Sequence, residues 1–160
     1  MNEIQFYFLL DQYYLDFPDK YLMGNKIIND VEHYRPYFFA FNDKDYEEIF
    51  WIIPISSKIA KYRKIYNKAI ENYKYCNSIY FGKVANKEAA FLIQNMCPAT
   101  KDYLKPYLNK KNEPIRINDL TAKIIIKKAR KILKQLKHGS KCIFSDSILI
   151  YNVLIKRLDK

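Results

Sequence analysis

The chain has 160 residues, with 28 Lys or Arg against 17 Asp or Glu and a formal net charge of +11. Hydrophobic residues make up 49% and aromatic residues 16%, which excludes a disordered protein and predicts one globular domain over residues 1–160. No apolar stretch reaches the ~18 to 20 residues of a membrane span, and the first residues lack the features of a secretory signal, so we expect a cytoplasmic protein without a membrane partner.

The first third of the chain predicts mainly strands. Residues 4–10 are β-branched, aromatic and aliphatic, as in a buried strand. Residues 12–35 predict a long, partly helical connection whose aromatic residues pack: Tyr13, Tyr14, Phe17 and Tyr21. Residues 36–41 and 48–53 flank a polar run and predict a hairpin, and the segment Pro54-Ile55-Ser56-Ser57 is expected to end its second strand.

The rest of the chain predicts helices around a second hairpin. Residues 58–75 have helical apolar spacing, and residues 78–84 and 89–93 predict two strands. A long helix begins at Asn118 or Asp119 and ends before Gly139. Its predicted apolar face is Leu120, Ile124, Ile125, Ala129, Ile132, Leu133 and Leu136. Residues 146–158 predict a last helix docked on the sheet. Strands and helices without regular alternation predict an α+β fold on a small, mostly antiparallel sheet or barrel.

The positive charge is concentrated after residue 50. Residues 1–50 hold 4 Lys or Arg and 10 Asp or Glu, whereas residues 51–160 hold 24 and 7. Such an excess attracts polyanions, and nucleic acid is the first candidate partner. The alternatives are a solvated lysine-rich surface and an acidic protein or membrane surface. The long helix concentrates the charge on its second face, at Lys123, Lys127, Lys128, Arg130, Lys131, Lys134 and Lys137.

Several classes of site have no support. The cysteines (Cys76, Cys97 and Cys142) are odd in number and form no C-x-x-C pair, so we expect neither a disulfide framework nor a zinc site. The acidic run at Asp43, Asp45, Glu47 and Glu48 has the composition of a solvated hairpin tip rather than a Mg²⁺ site. Glycine-rich nucleotide motifs and G-x-S-x-G are absent. No metal or cofactor is predicted.

The most suggestive motif is Ser56-Ser57-Lys58, between a predicted strand and a predicted helix. Main-chain N–H groups and the helix dipole favour a phosphate at such a position. Lys58 can stabilise the charge of a phosphorane, while Ser56 and Ser57 can bind phosphate oxygens or a 2′-hydroxyl. The alternative is that one serine caps the helix and Lys58 is solvated.

A second group of candidates precedes the predicted strand 36–41. His33 can transfer protons near neutral pH, and Arg35 can make bidentate phosphate contacts. The alternative for His33 is a structural hydrogen bond. His138, at the end of the basic helix, is expected to cap it.

Five segments carry a resemblance to a known family. They are residues 8–11 (FLLD), 35–41 (RPYFFAF), 54–58 (PISSK), 64–68 (KIYNK) and 91–98 (FLIQNMCP), followed by the basic helix. In this order the chain resembles, over essentially its whole length, the toxins of type III toxin–antitoxin systems. The CptN branch is the most similar, and ToxN and AbiQ are more distant.

The resemblance implies an endoribonuclease with the compact, barrel-like fold of the Kid and MazF toxins. Such enzymes cut RNA without metal by attack of the 2′-hydroxyl, leaving 2′,3′-cyclic phosphate and 5′-hydroxyl ends. The implied partner is a pseudoknotted antitoxin RNA, which the toxin cuts from a repetitive precursor and which inhibits it in a closed protein–RNA assembly. Cellular or phage transcripts are the implied targets.

The resemblance also assigns site residues. Ser56, Ser57 and Lys58 fall on the family's strand-end motif, although Lys61 competes with Lys58 for the role of the functional lysine. Arg35 and His33 lie in the segment that supplies the second contribution, and the general base is His33, a tyrosine or substrate positioning alone. The predicted RNA-binding residues are Lys61, Arg63, Lys64, Lys68, Lys123, Lys127, Lys128, Arg130, Lys131 and Lys134. The rival functions are a non-catalytic RNA-binding module and a protein that docks an acidic partner.

Overall fold

The structure, a computed structural model, describes residues 5–160. Ile4, predicted in the first strand, lies outside the described residues. The elements are β1 (Phe6–Leu9), α1 (Asp11–Asp16), β2 (Lys26–Ile28), β3 (Val31–His33), β4 (Pro36–Asn42), β5 (Ile49–Ser56), α2 (Ile59–Tyr73), β6 (Tyr80–Val84), β7 (Lys87–Phe91), β8 (Cys97–Thr100), β9 (Leu104–Pro106), α3 (Asp119–Lys137) and α4 (Ser147–Leu158).

Seven strands form one antiparallel sheet in the order β6-β7-β5-β4-β1-β9, with β8 also paired to β5. The predicted α+β fold with an antiparallel sheet is therefore confirmed. The predicted barrel-like closure is wrong, because β6 and β9 do not pair with each other within residues 5–160. Edge strand β9 has three residues and includes Pro106, which lacks an N–H to donate.

Strand β5 changes partner along one of its edges. Residues Ile49–Ile52 pair with β8, whereas Ile55 and Ser56 pair with β7. Pro54 lies between these two stretches, so its missing N–H removes no ladder hydrogen bond on that edge. The predicted strand 48–53 therefore continues through Pro54 to Ser56, and it ends within the segment Pro54-Ile55-Ser56-Ser57 as predicted. This continuation carries the first serine of the strand-end motif into the sheet.

The main core lies between the sheet and helices α3 and α4. The buried face of α3 is formed by Ala122, Ile125, Ala129, Ile132, Leu133 and Leu136. Leu120 was predicted on this face but is 67% exposed, since it lies in the first turn outside the buried arc. The predicted helix ends are confirmed: the Asn118 side chain accepts from the main-chain N–H of Leu120, and Gly139 follows with φ +90°. No helix in the described part of the chain is long and apolar enough to cross a bilayer.

The connection between β1 and β4 is more ordered than predicted. Helix α1 buries Tyr13 and Phe17, as expected, but Tyr21 is half exposed and stacks on the exposed Phe144 ring. Tyr21 therefore packs as predicted, but against Phe144 at the surface rather than in the core. Strands β2 and β3, which the sequence did not predict, form a separate two-stranded hairpin whose residues are all exposed.

The tip between β4 and β5 also differs from expectation. Asp43, predicted to be solvated, is 2% exposed and accepts hydrogen bonds from Trp51 Nε1 at 2.8 Å, Tyr151 Oη at 2.9 Å and Lys137 Nζ at 3.0 Å. Burial raises the pKa of Asp43, but these hydrogen bonds outweigh burial and hold the pKa below its usual value. The carboxylate therefore joins the hairpin tip to α3 and α4.

Candidate active site

A cavity of about 480 Å³ opens between the β2–β3 hairpin and the turn that joins β6 to β7. The ends of β4 and β5 contribute to its lining. All five residues predicted for catalysis line it: His33, Arg35, Ser56, Ser57 and Lys58. Residues that are distant in sequence are thus brought to one site by the pairing of β4 with β5 and of β5 with β7.

The strand-end motif leaves the sheet in a tight turn. Ser56 pairs with Ala90 and is buried, and its Oγ accepts a hydrogen bond from the Lys58 main-chain N–H at 3.2 Å. The side chains of Ser57 and Lys58 are exposed. Neither serine caps α2, whose first turn contains no acidic residue. The positive end of α2 therefore remains available to an anion bound beside the motif.

Arg35 is held next to this motif by two hydrogen bonds, one from its side chain and one from its main chain. Its Nη1 donates to the Ile55 carbonyl at 2.9 Å, and its own main-chain N–H donates to Asn25 Oδ1 at 3.1 Å. The Asn25 amide in turn donates to the Leu9 carbonyl at 3.1 Å and to Asp11 Oδ1 at 2.9 Å. The Asn25 side chain thus joins the base of the β2–β3 hairpin to β1 and α1, and positions the backbone of Arg35.

His33 lies on β3 directly opposite Lys26 on β2. Both side chains line the cavity, and Lys87 lines it from β7. Sequence reasoning missed Lys26 and Lys87, because their role depends on two hairpins meeting at the cavity rather than on a local motif. The only local signal for Lys26 is that it is a cation seven residues before His33.

The two lysines that compete for the functional role lie in different surroundings. Lys58 lines the cavity. Lys61 lies one turn along α2, with its Nζ 5.3 Å from the centroid of the Tyr62 ring, and is not part of the cavity lining. The geometry favours Lys58 for contact with a substrate in this cavity.

Two tyrosines, Tyr34 and Tyr107, line the cavity as well. The Tyr34 hydroxyl donates to the Glu32 carboxylate, which raises the pKa of Tyr34. A raised pKa leaves less of the Tyr34 phenol ionised near neutral pH, so less of it is in the form that can accept a proton.

Some of the predicted RNA-binding residues have exposed side chains, and others make ion pairs or hydrogen bonds within the protein. On α3, one exposed face opposite the buried face carries Lys123, Lys127, Arg130, Lys131 and Lys134. On α2, Lys61, Lys64 and Lys68 are exposed. Arg63 instead forms an ion pair with Glu88 at 2.7 Å and covers the Phe81 ring, and Lys128 donates to the Cys76 carbonyl.

A second cavity, of about 340 Å³, lies at the carboxyl-terminal half of α3. Arg130 covers the Phe41 ring there, with its guanidinium carbon 4.4 Å from the ring centroid. Lys44, Lys134 and His138 also line this cavity, whereas Lys137, a further member of the predicted basic face, is engaged by Asp43. The His138 main-chain N–H caps α3, donating to the Lys134 carbonyl at 3.2 Å.

Across residues 5–160, no three His, Cys, Asp or Glu side chains are grouped so that they could hold a metal ion. Cys76, Cys97 and Cys142 are free thiols.

The fold has a counterpart among solved structures. The chain superposes on AbiQ, described as a lactococcal anti-phage endoribonuclease belonging to the type III toxin–antitoxin system. The TM-score is 0.69 at 16% sequence identity, over 99% of this chain and 100% of AbiQ. The chain has the AbiQ fold. No family model and no curated protein matches the sequence.

The likeness to AbiQ confirms, at the level of the fold, the resemblance that the ordered segments indicated. The structural match runs over nearly the whole of both chains, as the sequence resemblance runs over essentially the whole of this one. At this identity the two proteins share a backbone arrangement, and the roles of individual side chains have to be argued from the cavity itself.

Proposed function

We propose that this protein is an endoribonuclease toxin of a type III toxin–antitoxin system. The observation that carries the proposal is the cavity, in which two serine hydroxyls, four cations and an imidazole meet beside the uncapped start of α2. These are the groups that bind and cleave a phosphodiester. The fold of AbiQ supports the same reaction class.

The proposed reaction is attack of a ribose 2′-hydroxyl on the adjacent phosphorus. The 2′-oxygen forms a bond to phosphorus and the 5′-oxygen leaves, which gives a 2′,3′-cyclic phosphate and a 5′-hydroxyl end. Lys58 and Arg35 stabilise the charge of the phosphorane, and no metal ion takes part. His33 accepts the 2′-hydroxyl proton, and the departing 5′-oxygen takes a proton from solvent water to become the 5′-hydroxyl.

The two serines have different roles in this proposal. The Ser56 Oγ already accepts the Lys58 main-chain N–H, so its hydroxyl hydrogen is left to donate to a phosphate oxygen. Ser57 is exposed and can contact a second oxygen or the 2′-hydroxyl.

The proposed partner is an antitoxin RNA, a pseudoknot that the toxin cuts from a repetitive precursor and that inhibits it in a closed assembly. The basic face of α3 and the exposed lysines of α2 hold this RNA by its phosphates. Steps of four residues along α3 separate the cations by about 6 Å, which is close to the spacing of phosphates along one strand. Cellular or phage transcripts are the proposed targets.

The test is incubation of the purified protein with mixed RNA in excess EDTA, followed by chemical mapping of the RNA ends. Lys58→Ala should lower the cleavage rate by about 10² to 10³, whereas Lys61→Ala should cleave within a few-fold of wild type. We expect wild type to leave cyclic phosphate and 5′-hydroxyl ends, and we expect these ends to disappear with Lys58→Ala. Equal rates for Lys58→Ala and wild type would contradict the assignment.

A non-catalytic RNA-binding module is the second candidate, because the basic face of α3 binds phosphates without needing the cavity. This alternative predicts RNA that is bound but remains intact. Short tandem repeats and a terminator directly upstream of the reading frame would favour the toxin.

A further inference from the structure

The β2–β3 hairpin has two chemically different faces. Lys26 pairs with His33 and Ile28 with Val31, so these four side chains share one face, while Ile27 and Glu32 share the other. Lys26, Ile28 and His33 line the 480 Å³ cavity. Ile27 and Glu32 line a second cavity of about 260 Å³, whose lining also includes Lys26 and Tyr34. The inner face of the hairpin is the one that carries Lys26 and Ile28.

The aliphatic residues of the inner face are not explained by the core. Ile28 is 49% exposed and Val31, its cross-strand partner, is 56% exposed. The hairpin forms no strand pairing with the main sheet, so these side chains contribute little to core burial. Exposed aliphatic residues at the mouth of a cationic cavity are typical of a ligand contact.

Further apolar surface belongs to the same cavity. Tyr34 and Tyr107 line it, and both rings contact Phe8, at centroid distances of 5.7 and 4.7 Å. The cavity therefore combines cations and hydroxyls with an apolar wall formed by Ile28 and the two tyrosines. A nucleotide has the same two parts, a charged phosphate and a base with an apolar face.

The hairpin is anchored at its base and closed by a tight turn. Its base is fixed by the Asn25 side chain and by Arg35, and its two-residue turn, Asn29-Asp30, has φ of +50° and +60° at both positions, as type I′ turns require. Lys26 and Ile28 lie on the side of the anchored hairpin that lines the cavity together with the strand-end motif.

We propose that the inner face of the hairpin binds the nucleotide next to the cut and contributes to the choice of cleavage site. Ile28 packs on the face of an unpaired base, and Lys26 contacts its phosphate. The bound nucleotide is single-stranded, because a base inside an A-form duplex is stacked and does not present its face to a side chain. This inference rests on the proposed ribonuclease function.

The test uses the adjacent isoleucines of the hairpin as a matched pair. Ile28→Ser should lower kcat/KM about tenfold on an RNA oligonucleotide that wild type prefers, and should change the nucleotides found at the cut in a randomised RNA pool. Ile27→Ser, on the outer face, should leave both unchanged. Lys26→Gln should lower the slope of log affinity against log salt by about 0.7, and the exposed Lys156→Gln should not.

Three outcomes would overturn the inference. Unchanged cleavage preferences in Ile28→Ser would exclude a base contact, and equal losses in Ile27→Ser and Ile28→Ser would indicate a general effect of the hairpin's apolar residues. In both cases a wild type that still cleaves leaves the proposed function intact. If wild type cleaves no RNA in the pool, the ribonuclease function fails and the inference fails with it. Circular dichroism on each variant separates these results from misfolding.

Discussion

Arg35 Nη1 donates a hydrogen bond of 2.9 Å to the main-chain carbonyl of Ile55, the residue that precedes the strand-end motif. The contact joins the start of β4 to the end of β5 and holds a permanent cation beside Ser56. The Nε atom of the same guanidinium is shielded from solvent and has no partner within residues 5–160. Within the described residues, the guanidinium is therefore held in place through Nη1, while Nε makes no hydrogen bond.

Arg35→Lys should lower the cleavage rate by about 10², because one ammonium cannot both bind the Ile55 carbonyl and meet a phosphate with a planar pair of donors. Single-turnover cleavage of a short RNA measures this, and an RNA-binding assay shows whether affinity is retained. A lysine variant with the wild-type rate would remove Arg35 from the reaction and leave it a structural role.

Asn25→Asp should destabilise the protein more than Asn25→Ala. The aspartate retains an acceptor for the Arg35 N–H but places a second carboxylate beside Asp11 and leaves the Leu9 carbonyl without a donor. For Asn25→Asp we expect the free energy of unfolding to fall by about 2 kcal/mol at pH 7, as measured by urea denaturation. The excess loss of the aspartate over the alanine variant should shrink at pH values where carboxylates are protonated.

The basic face of α3 should set the salt dependence of RNA binding. Replacing Lys127 or Lys134 by Gln should each lower the slope of log affinity against log salt by about 0.7 to 0.9. Cleavage of a short RNA that reaches only the 480 Å³ cavity should be unchanged. Slopes identical to wild type in both variants would show that the RNA does not lie on this face.

Much of the fold could be predicted because its signals are local. Helices α2 and α3 follow from apolar spacing, and Asn118 and Gly139 mark the ends of α3 by capping chemistry. Strands β2 and β3 could not be predicted, since each has three residues, all exposed, and therefore no alternation of burial. Whether the sheet closes depends on how its two edge strands are placed, which no local pattern encodes.

The candidate site also contains residues that a local sequence pattern identifies and residues that only the fold brings into place. Ser56, Ser57 and Lys58 are contiguous and lie at a strand-to-helix junction, so sequence alone identifies them. The contact of Arg35 with Ile55 depends on the pairing of β4 with β5. Lys87 reaches the cavity only because β7 pairs with the last residues of β5.

Asp43 should make stability depend on acid pH. Its pKa is held below the usual value, so its contribution is present above about pH 4 and is lost as the pH falls through the lowered pKa. Asp43→Asn should lower the free energy of unfolding by about 2 to 3 kcal/mol at pH 7. The loss is not larger because Lys137 is partly exposed, so that solvent partly screens its pairing with Asp43. The difference from wild type should narrow toward acid pH.

The control for Asp43 is Asp45→Asn. Its carboxylate is exposed and lies 3.6 Å from Lys137, and such pairs contribute less than about 1 kcal/mol. Thermal unfolding between pH 3 and pH 7 on both variants decides the matter. A pH profile of Asp43→Asn that runs parallel to that of wild type would show that the buried carboxylate does not carry the acid dependence.

Ala85→Asn should stabilise the protein by about 0.5 to 1 kcal/mol. Ala85 has φ +49° in the two-residue turn between β6 and β7, a left-handed conformation that asparagine adopts more readily than alanine. Asn86, with φ +65°, already has the preferred residue type. Chemical denaturation measures the gain, and a loss of stability would show that the Ala85 methyl makes packing contacts that outweigh the backbone strain.

Both walls of the cavity are hairpins closed by two-residue turns, Asn29-Asp30 and Ala85-Asn86. The β2–β3 hairpin is not part of the main sheet, and the other turn lies where β6 and β7 project beyond β5. Mutations in these turns can accumulate over evolution without disturbing the buried strands. The two turns can therefore change in sequence without altering the hydrogen bond of Arg35 to Ile55 or the pairing of Ser56 with Ala90.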